Sequence, residues 1–435
     1  MIDLDELRAA FNRPLPDDPV EPGLVLDELQ QAATPGLVAT AGPRFFGFVI
    51  GGSIDAAVCA DLLAVGWDQV GFNAVSSPAA AVAEEAAGVW LKDLLGIPEH
   101  ATVGFVTGGQ AANTVGLLAA RQHVLRGAGW DVERDGLMGA PHVRVIAGAE
   151  RHGTLDRALR FIGLGAGAVV EVPADGNGAM RPDGVADALA EDQNTPTIVC
   201  AQSGNVNTGA CDDLRTICES ARSAHAWVHV DGAFGLWAAA SPSARHLVDG
   251  IDLADSWACD GHKWLNVPYD SGFAFCAHPE VHRNAMSYTA AYLTGQSLTG
   301  IPGPSDLVFE SSRRARGFAV WAALQSLGRS GVADLVDRCC VLARRFAKQL
   351  DAVDGFEVVN DVVLNQVLVR FGDAEETDRV IDAIQREGTC WFGGTSWHGM
   401  RLARISVSNW STSEDDVDRS VDAIVRIARR GASAS

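Results

Sequence analysis

Two side chains near the middle of the chain have the types that electrophilic cofactor chemistry needs. Asp231 closes the apolar, β-branched run AWVHVD, and Lys263 follows in a Gly-His-Lys-Trp turn flanked by apolar sequence. A lysine amine can join an aldehyde as a Schiff base, and a strand-end carboxylate can keep a heteroaromatic nitrogen protonated, so that the ring accepts electrons. Apolar surroundings would lower the lysine pKa toward the reactive neutral amine. Pyridoxal 5'-phosphate (PLP) is the cofactor that uses such a pair. Each residue alone is ordinary, an aspartate at a strand end and a lysine in a turn, so the neighbouring segments must decide.

A phosphate group would need backbone N–H groups at a helix N-terminus. FVTGGQAANTVGLLAAR supplies them: a strand ends at Thr107, and Gly108, Gly109 and Gln110 lead into an Ala-rich helix. Gly109 and Gln110 are the expected phosphate contacts. A looser glycine run, Gly163 to Ala168, satisfies G-x-G-x-x-A but follows a helical pattern and precedes a strand. That order is the reverse of a dinucleotide-binding turn.

The elements that must position these residues are legible in outline. Six apolar segments read as strands (ATVGFVT, HVRVIAG, GAVVEV, TIVCAQ, AWVHVD and SGFAFC), with helical stretches between most of them. Alternation of this kind makes an α/β sheet buried on both faces. From about residue 311 a long helix is followed by FEVVN, NQVLVRF and ARISVS, with a helix between the last two and another at the end. The expected organisation is an N-terminal arm (1–75), a large cofactor-binding domain (76–310) and a small C-terminal α+β domain (311–435).

Taken together, the blocks resemble the group II PLP-dependent amino acid decarboxylases, relatives of aromatic-L-amino-acid and glutamate decarboxylases. The family's H-x-D-x-A block stands here as His229, Asp231 and Ala233, and its H-K block as His262 and Lys263. The resemblance implies fold type I, with a mainly parallel seven-stranded sheet and a small C-terminal domain. It implies that Lys263 carries the cofactor, that Asp231 meets the ring nitrogen and that Ala233 packs on one ring face. His262 would help hold the phosphate. His152, in AERHGTLDRAL with Thr154 where the family has serine, would stack on the other ring face; the same segment also suits a helix cap. AQSGNVNTGACDDL resembles the family turn that touches the cofactor, which makes Asn205 a candidate, with Asp260 in the same network. Arg404, inside the apolar LARISVS, is costly to bury unpaired. A substrate carboxylate or a structural salt bridge would each satisfy it.

The resemblance also implies decarboxylation of an L-amino acid to its amine, and a homodimer with shared active sites. The family's loop tyrosine is missing, and Asp306-Leu307 stand where it would fall. Tyr292 or Tyr288 is the candidate replacement; without one, oxidative conversion to an aldehyde is the alternative. An aminotransferase or carbon–carbon lyase of the same fold would use the same aspartate and lysine. Trp264, Trp391, Phe392 and Trp397 near site-like segments suggest an aromatic or bulky apolar substrate, although tryptophan in a core is commoner.

The formal net charge of −21 argues against nucleic acid or an anionic membrane as partner. No apolar run reaches the roughly 18 residues of a membrane span, and the acidic N-terminus lacks the pattern of a signal peptide. A cytoplasmic location is the expectation. Nine cysteines, scattered without a C-x-x-C pair or histidines at zinc spacing, give no support to a metal site.

Overall fold

The computed structural model describes residues 3–287 and 303–432. A seven-stranded sheet is built from β1 (Thr102–Val106), β2 (Arg144–Gly148), β3 (Val169–Val172), β4 (Thr197–Gln202), β5 (Trp227–Asp231), β6 (Ser256–Asp260) and β7 (Gly272–Cys276). Their order is β1-β7-β6-β5-β4-β2-β3, and only β7 runs antiparallel to its neighbours. Alternate residues feed two cores. Val199, Val228, Val230 and Trp257 enter one cluster, whereas Ile198, Cys200 and Trp227 enter another on the opposite face. Burial on both faces is why these strands read as nearly continuous apolar runs.

One strand escaped the sequence pattern. β6, SWACD, is fully buried and central, yet contains no β-branched residue and no alternation. Its strand conformation comes from pairing with β5 and β7.

A second sheet of four antiparallel strands comprises β8 (Phe356–Val358), β9 (Gln366–Phe371), β10 (Gly393–Trp397) and β11 (Met400–Ser406), in the order β10-β11-β9-β8. Here β10, GGTSW, is the strand that glycines concealed. The helical stretch Gly317–Asp351 turns at Gly328, whose φ of 62° breaks the helix, and packs against helices Asp55–Trp67, Pro78–Leu95 and Glu414–Ala432. The N-terminal segment reaches the small sheet by pairing Phe45 with Trp391, whose rings stack at 4.7 Å. Among the described residues, no helix is long and apolar enough to cross a membrane.

Candidate active site

The carboxyl ends of β1, β4, β5 and β6 open on one cavity of about 650 Å³, lined by Gly108, Gln202, Asp231 and Asp260 among others. Open α/β sheets bind ligands at this edge, and the volume suits a small-molecule site.

Lys263 enters on the turn that leaves β6. The N–H groups of Gly261 and His262 both donate to the Ser271 carbonyl. Asn266 donates to the carbonyls of Trp264 (2.8 Å) and Ser408 (2.9 Å) and accepts from the Gly52 N–H. The N-terminal segment crosses this turn so closely that a Cβ on Gly51 would lie 1.9 Å from the Lys263 carbonyl oxygen. Glycine is required there by space. Lys263 Nζ sits 3.1 Å from Asp260 Oδ2, and Asp260 Oδ1 accepts the Gly109 N–H at 2.5 Å.

The two histidines of the cavity have assignable tautomers. The Ser271 N–H donates to His262 Nδ1 at 3.1 Å, so the proton of the neutral ring sits on Nε2. The Thr154 N–H likewise donates to His152 Nδ1, leaving Nε2 protonated. Burial pushes both pKa values down, against the opposing pull of Asp260 on His262 and of Asp231 on His152. His152 therefore caps helix Gly153–Phe161 and lines the cavity at once. Asp231 accepts from Asn113 Nδ2 (3.0 Å) and from the Ala233 N–H (3.3 Å), one donor on each oxygen.

Arg404, on β11, reaches the cavity from the small sheet. It donates to the Val206 carbonyl at 3.0 Å and has no carboxylate partner among the described residues. Burial lowers its pKa.

Lys263, Asp231, Ala233, His152, Gly109, Gln110, His262, Asp260 and Arg404 thus share one cavity. Asn205 does not join them. Its amide donates to Glu150 and Gly178 and accepts from the Asn207 and Thr208 N–H groups, so it is consumed in building its own turn. Asn207 lines the cavity instead, held by Thr395. Tyr292, like Tyr288, lies outside the described residues. Leu307 is no cavity residue either; its carbonyl accepts from His282.

The expected aromatic rim also falls elsewhere. Trp264, Phe392 and Trp397 are buried in cores, and Trp391 stacks on Phe45. The lining aromatics are Phe48, Phe234 and Tyr269. Phe48 and Tyr269 carried no periodic signal, and only their approach in space reveals them. Tyr269 stacks on His262 at 4.2 Å, and its phenol is pushed up to about 12, by burial first and then by Asp260.

These residues fit a phosphate-bearing aldehyde. The 19-residue helix Gly109–Gly127 points its N-terminus at the cavity. The Gln110 side-chain amide donates to the Thr154 carbonyl at 3.2 Å, which leaves its backbone N–H as the group it can offer a phosphate. A primary amine and a buried carboxylate stand in the same enclosure.

Comparison with known proteins decides the family. Residues 5–371 match the pyridoxal-dependent decarboxylase conserved domain. The chain belongs to this family. It is a PLP-dependent carboxy-lyase, and PLP is its cofactor. It is 28% identical to tryptophan decarboxylase 1 of Oryza sativa subsp. japonica, over 95% of this chain and 85% of the rice protein. It is also 28% identical to an aromatic-L-amino-acid decarboxylase of Bacillus atrophaeus, over 86% and 77%. Similarity extends to a phenylacetaldehyde synthase of Arabidopsis thaliana, 25% identical over 92% and 85%. In fold it resembles Oryza sativa TDC, solved with PLP and tryptamine, with a TM-score of 0.90 at 24% identity over 98% and 91% of the two chains.

Proposed function

We propose that the chain converts an aromatic L-amino acid to its amine, with the cofactor held by Lys263. Bound PLP supplies an electron-accepting ring that stabilises the charge left on the substrate α-carbon when CO₂ departs. Lys263 Nζ would hold the cofactor covalently, and Asp231 would meet the ring nitrogen with the lone pairs its two donors leave free. The first-turn N–H of Gln110, with His262 Nε2–H, would hold the phosphate, and Gly109, whose own N–H is taken by Asp260, would let it approach by lacking a side chain. Ala233 and His152 would flank the ring.

The observation that carries the substrate class is a count of cations. Among the described lining residues only Lys263, Arg404 and the two neutral histidines carry basic groups. With Lys263 committed to the cofactor, Arg404 serves the α-carboxylate and no cation remains for an acidic side chain. Phe48, Val49, Phe234 and Tyr269 offer apolar surface instead. The named activities of the rice and Bacillus relatives agree with this reading.

Mass spectrometry of products from the PLP-loaded protein, given a panel of amino acids under air, tests it. Arylalkylamines with CO₂, and no turnover of glutamate, are expected; turnover of glutamate in preference to aromatic substrates would overturn it. The aldehyde alternative is favoured by one observation, that position 307 presents no hydroxyl to the cavity. An aldehyde with ammonia and hydrogen peroxide would mark it.

The homodimer belongs to the same reading. Leu24, Leu26, Leu62, Leu63 and Trp67 are exposed on the N-terminal helices, an apolar surface that a second copy would cover. Light scattering should give twice the 45.8 kDa chain mass. Nine free cysteines support a reducing, cytoplasmic setting. The proposed arm and domain limits remain at about residues 75 and 310.

A further inference from the structure

We propose that Trp227, Ser256, His229 and Asn113 form a one-way chain of hydrogen bonds that holds the Asp231 carboxylate aimed. The inference rests on Asp231 facing the cofactor ring nitrogen, as proposed above.

The direction of every bond follows from what each group can do. The Trp227 indole has only a proton to give, and it gives it to Ser256 Oγ at 2.9 Å. The Ser256 hydroxyl proton is then free to go to His229 Nδ1, 2.8 Å away. His229 Nδ1 is therefore an acceptor, and the ring proton sits on Nε2. That proton goes to Asn113 Oδ1 at 2.9 Å. The amide is thereby oriented with its NH₂ toward Asp231 Oδ2, at 3.0 Å. Reversing Asn113 alone would set its oxygen against the carboxylate and its NH₂ against the histidine N–H. Protonating Asp231 on Oδ2 would set O–H against NH₂.

The arrangement is built into the sheet. Trp227, His229 and Asp231 alternate along β5 and so share one face, and Ser256 pairs with His229 across to β6. Asn113 descends from helix Gly109–Gly127. That helix can approach because position 116 is glycine: a Cβ there would lie 2.6 Å from His229 Cε1. All four side chains are buried, His229 and Ser256 completely. Burial also drives the His229 pKa down to about 3, which keeps the ring neutral at working pH. His229 and Ser256 are positioning residues, and Asn113, although it borders the cavity, is assigned the same role because its side chain is spent on His229 and Asp231.

The test uses holoenzyme carrying PLP labelled with ¹⁵N in the ring, with ring-nitrogen protonation followed by NMR across pH. Asn113→Leu releases Oδ2, so that the carboxylate can turn away from the ring nitrogen, and should lower the ring-nitrogen pKa by about one to two units. kcat should fall about tenfold or more while KM changes little. Asp231→Asn is the reference variant and should lower the same pKa further. A shift in Asp231→Asn with none in Asn113→Leu would overturn the relay alone. No shift in Asp231→Asn would overturn the pairing of Asp231 with the ring, and the relay's role with it. Should Asn113→Leu fail to fold, the histidine ring ¹⁵N signals of the unmutated holoenzyme decide. Neutral His229 with its proton on Nε2 from pH 5.5 to 8 is expected; a proton on Nδ1, or a charged ring, contradicts the proposed direction.

Discussion

The two sides of the cavity are built on different terms. Asp231 and Asp260 stand at the ends of central strands, and the helix Gly109–Gly127 that covers the sheet supplies a donor to each. The opposite side comes from elsewhere: Arg404 and Thr395 from the small sheet, Phe48 and Val49 from the N-terminal segment. It is fastened through Glu150, two residues before His152. That carboxylate accepts from Trp397 Nε1 (2.8 Å) and from the half-exposed His398 Nε2 (2.7 Å) on the β10–β11 hairpin, and also from Asn205. The proposed chemistry stands on the rigid side, and the proposed recognition of substrate on the side that crosses between elements. A catalytic constellation needs fixed geometry, whereas a recognition surface gains from small adjustments.

Substitutions on the two sides should therefore differ in kind. The largest effect belongs to Lys263→Ala, which should abolish turnover and the visible cofactor absorbance. An unchanged spectrum would remove Lys263 from its role. Asp231→Ala should lower kcat about a hundred- to a thousandfold with little change in KM, and full activity in that variant would contradict the rigid-side assignment. Across the cavity, Arg404→Met should raise KM by about thirtyfold or more, the cost of an unpaired carboxylate. A fall in kcat alone would place Arg404 with the chemistry. Glu150→Ala should be milder, a KM increase of about three- to tenfold from loosening the hairpin. An equal loss in kcat would show that the fastening also holds His152 for the chemical step.

Stability should follow the buried histidines. Burial holds His229 near 3 and His282 near 4, whereas in the unfolded chain each would take a proton near 6.5. Between those values the unfolded state binds more protons. The stability present above about pH 6.5 is therefore lost as pH falls toward 4 and then 3. A melting temperature that drops steadily from pH 7 to 4.5 is expected, and one that rises would contradict the neutral, buried state of both rings.

The rigid side was also the more readable in sequence. WVHVD displays its strand in β-branched residues, and Gly108-Gly109 marks the turn before a long helix. What escaped was set by partners distant in the chain. β6 and β10 have weak strand composition and take their conformation from neighbours. Asn205 and Asn207 are chemically alike, and only the turn geometry sends one into scaffolding and the other into the cavity. Asn113 reads as one polar residue in an Ala-rich helix, because its partner Asp231 lies 118 residues away. Phe48 joins the site only because Gly51 lets its segment pass over the lysine turn.

The most direct test of the proposed site is to reduce the holoenzyme with borohydride, digest it, and locate the pyridoxyl group by mass spectrometry. The group is expected on the peptide containing Lys263, and on no other lysine. Its attachment elsewhere, or its absence from a fully active preparation, would contradict the assignment of this cavity as the catalytic centre.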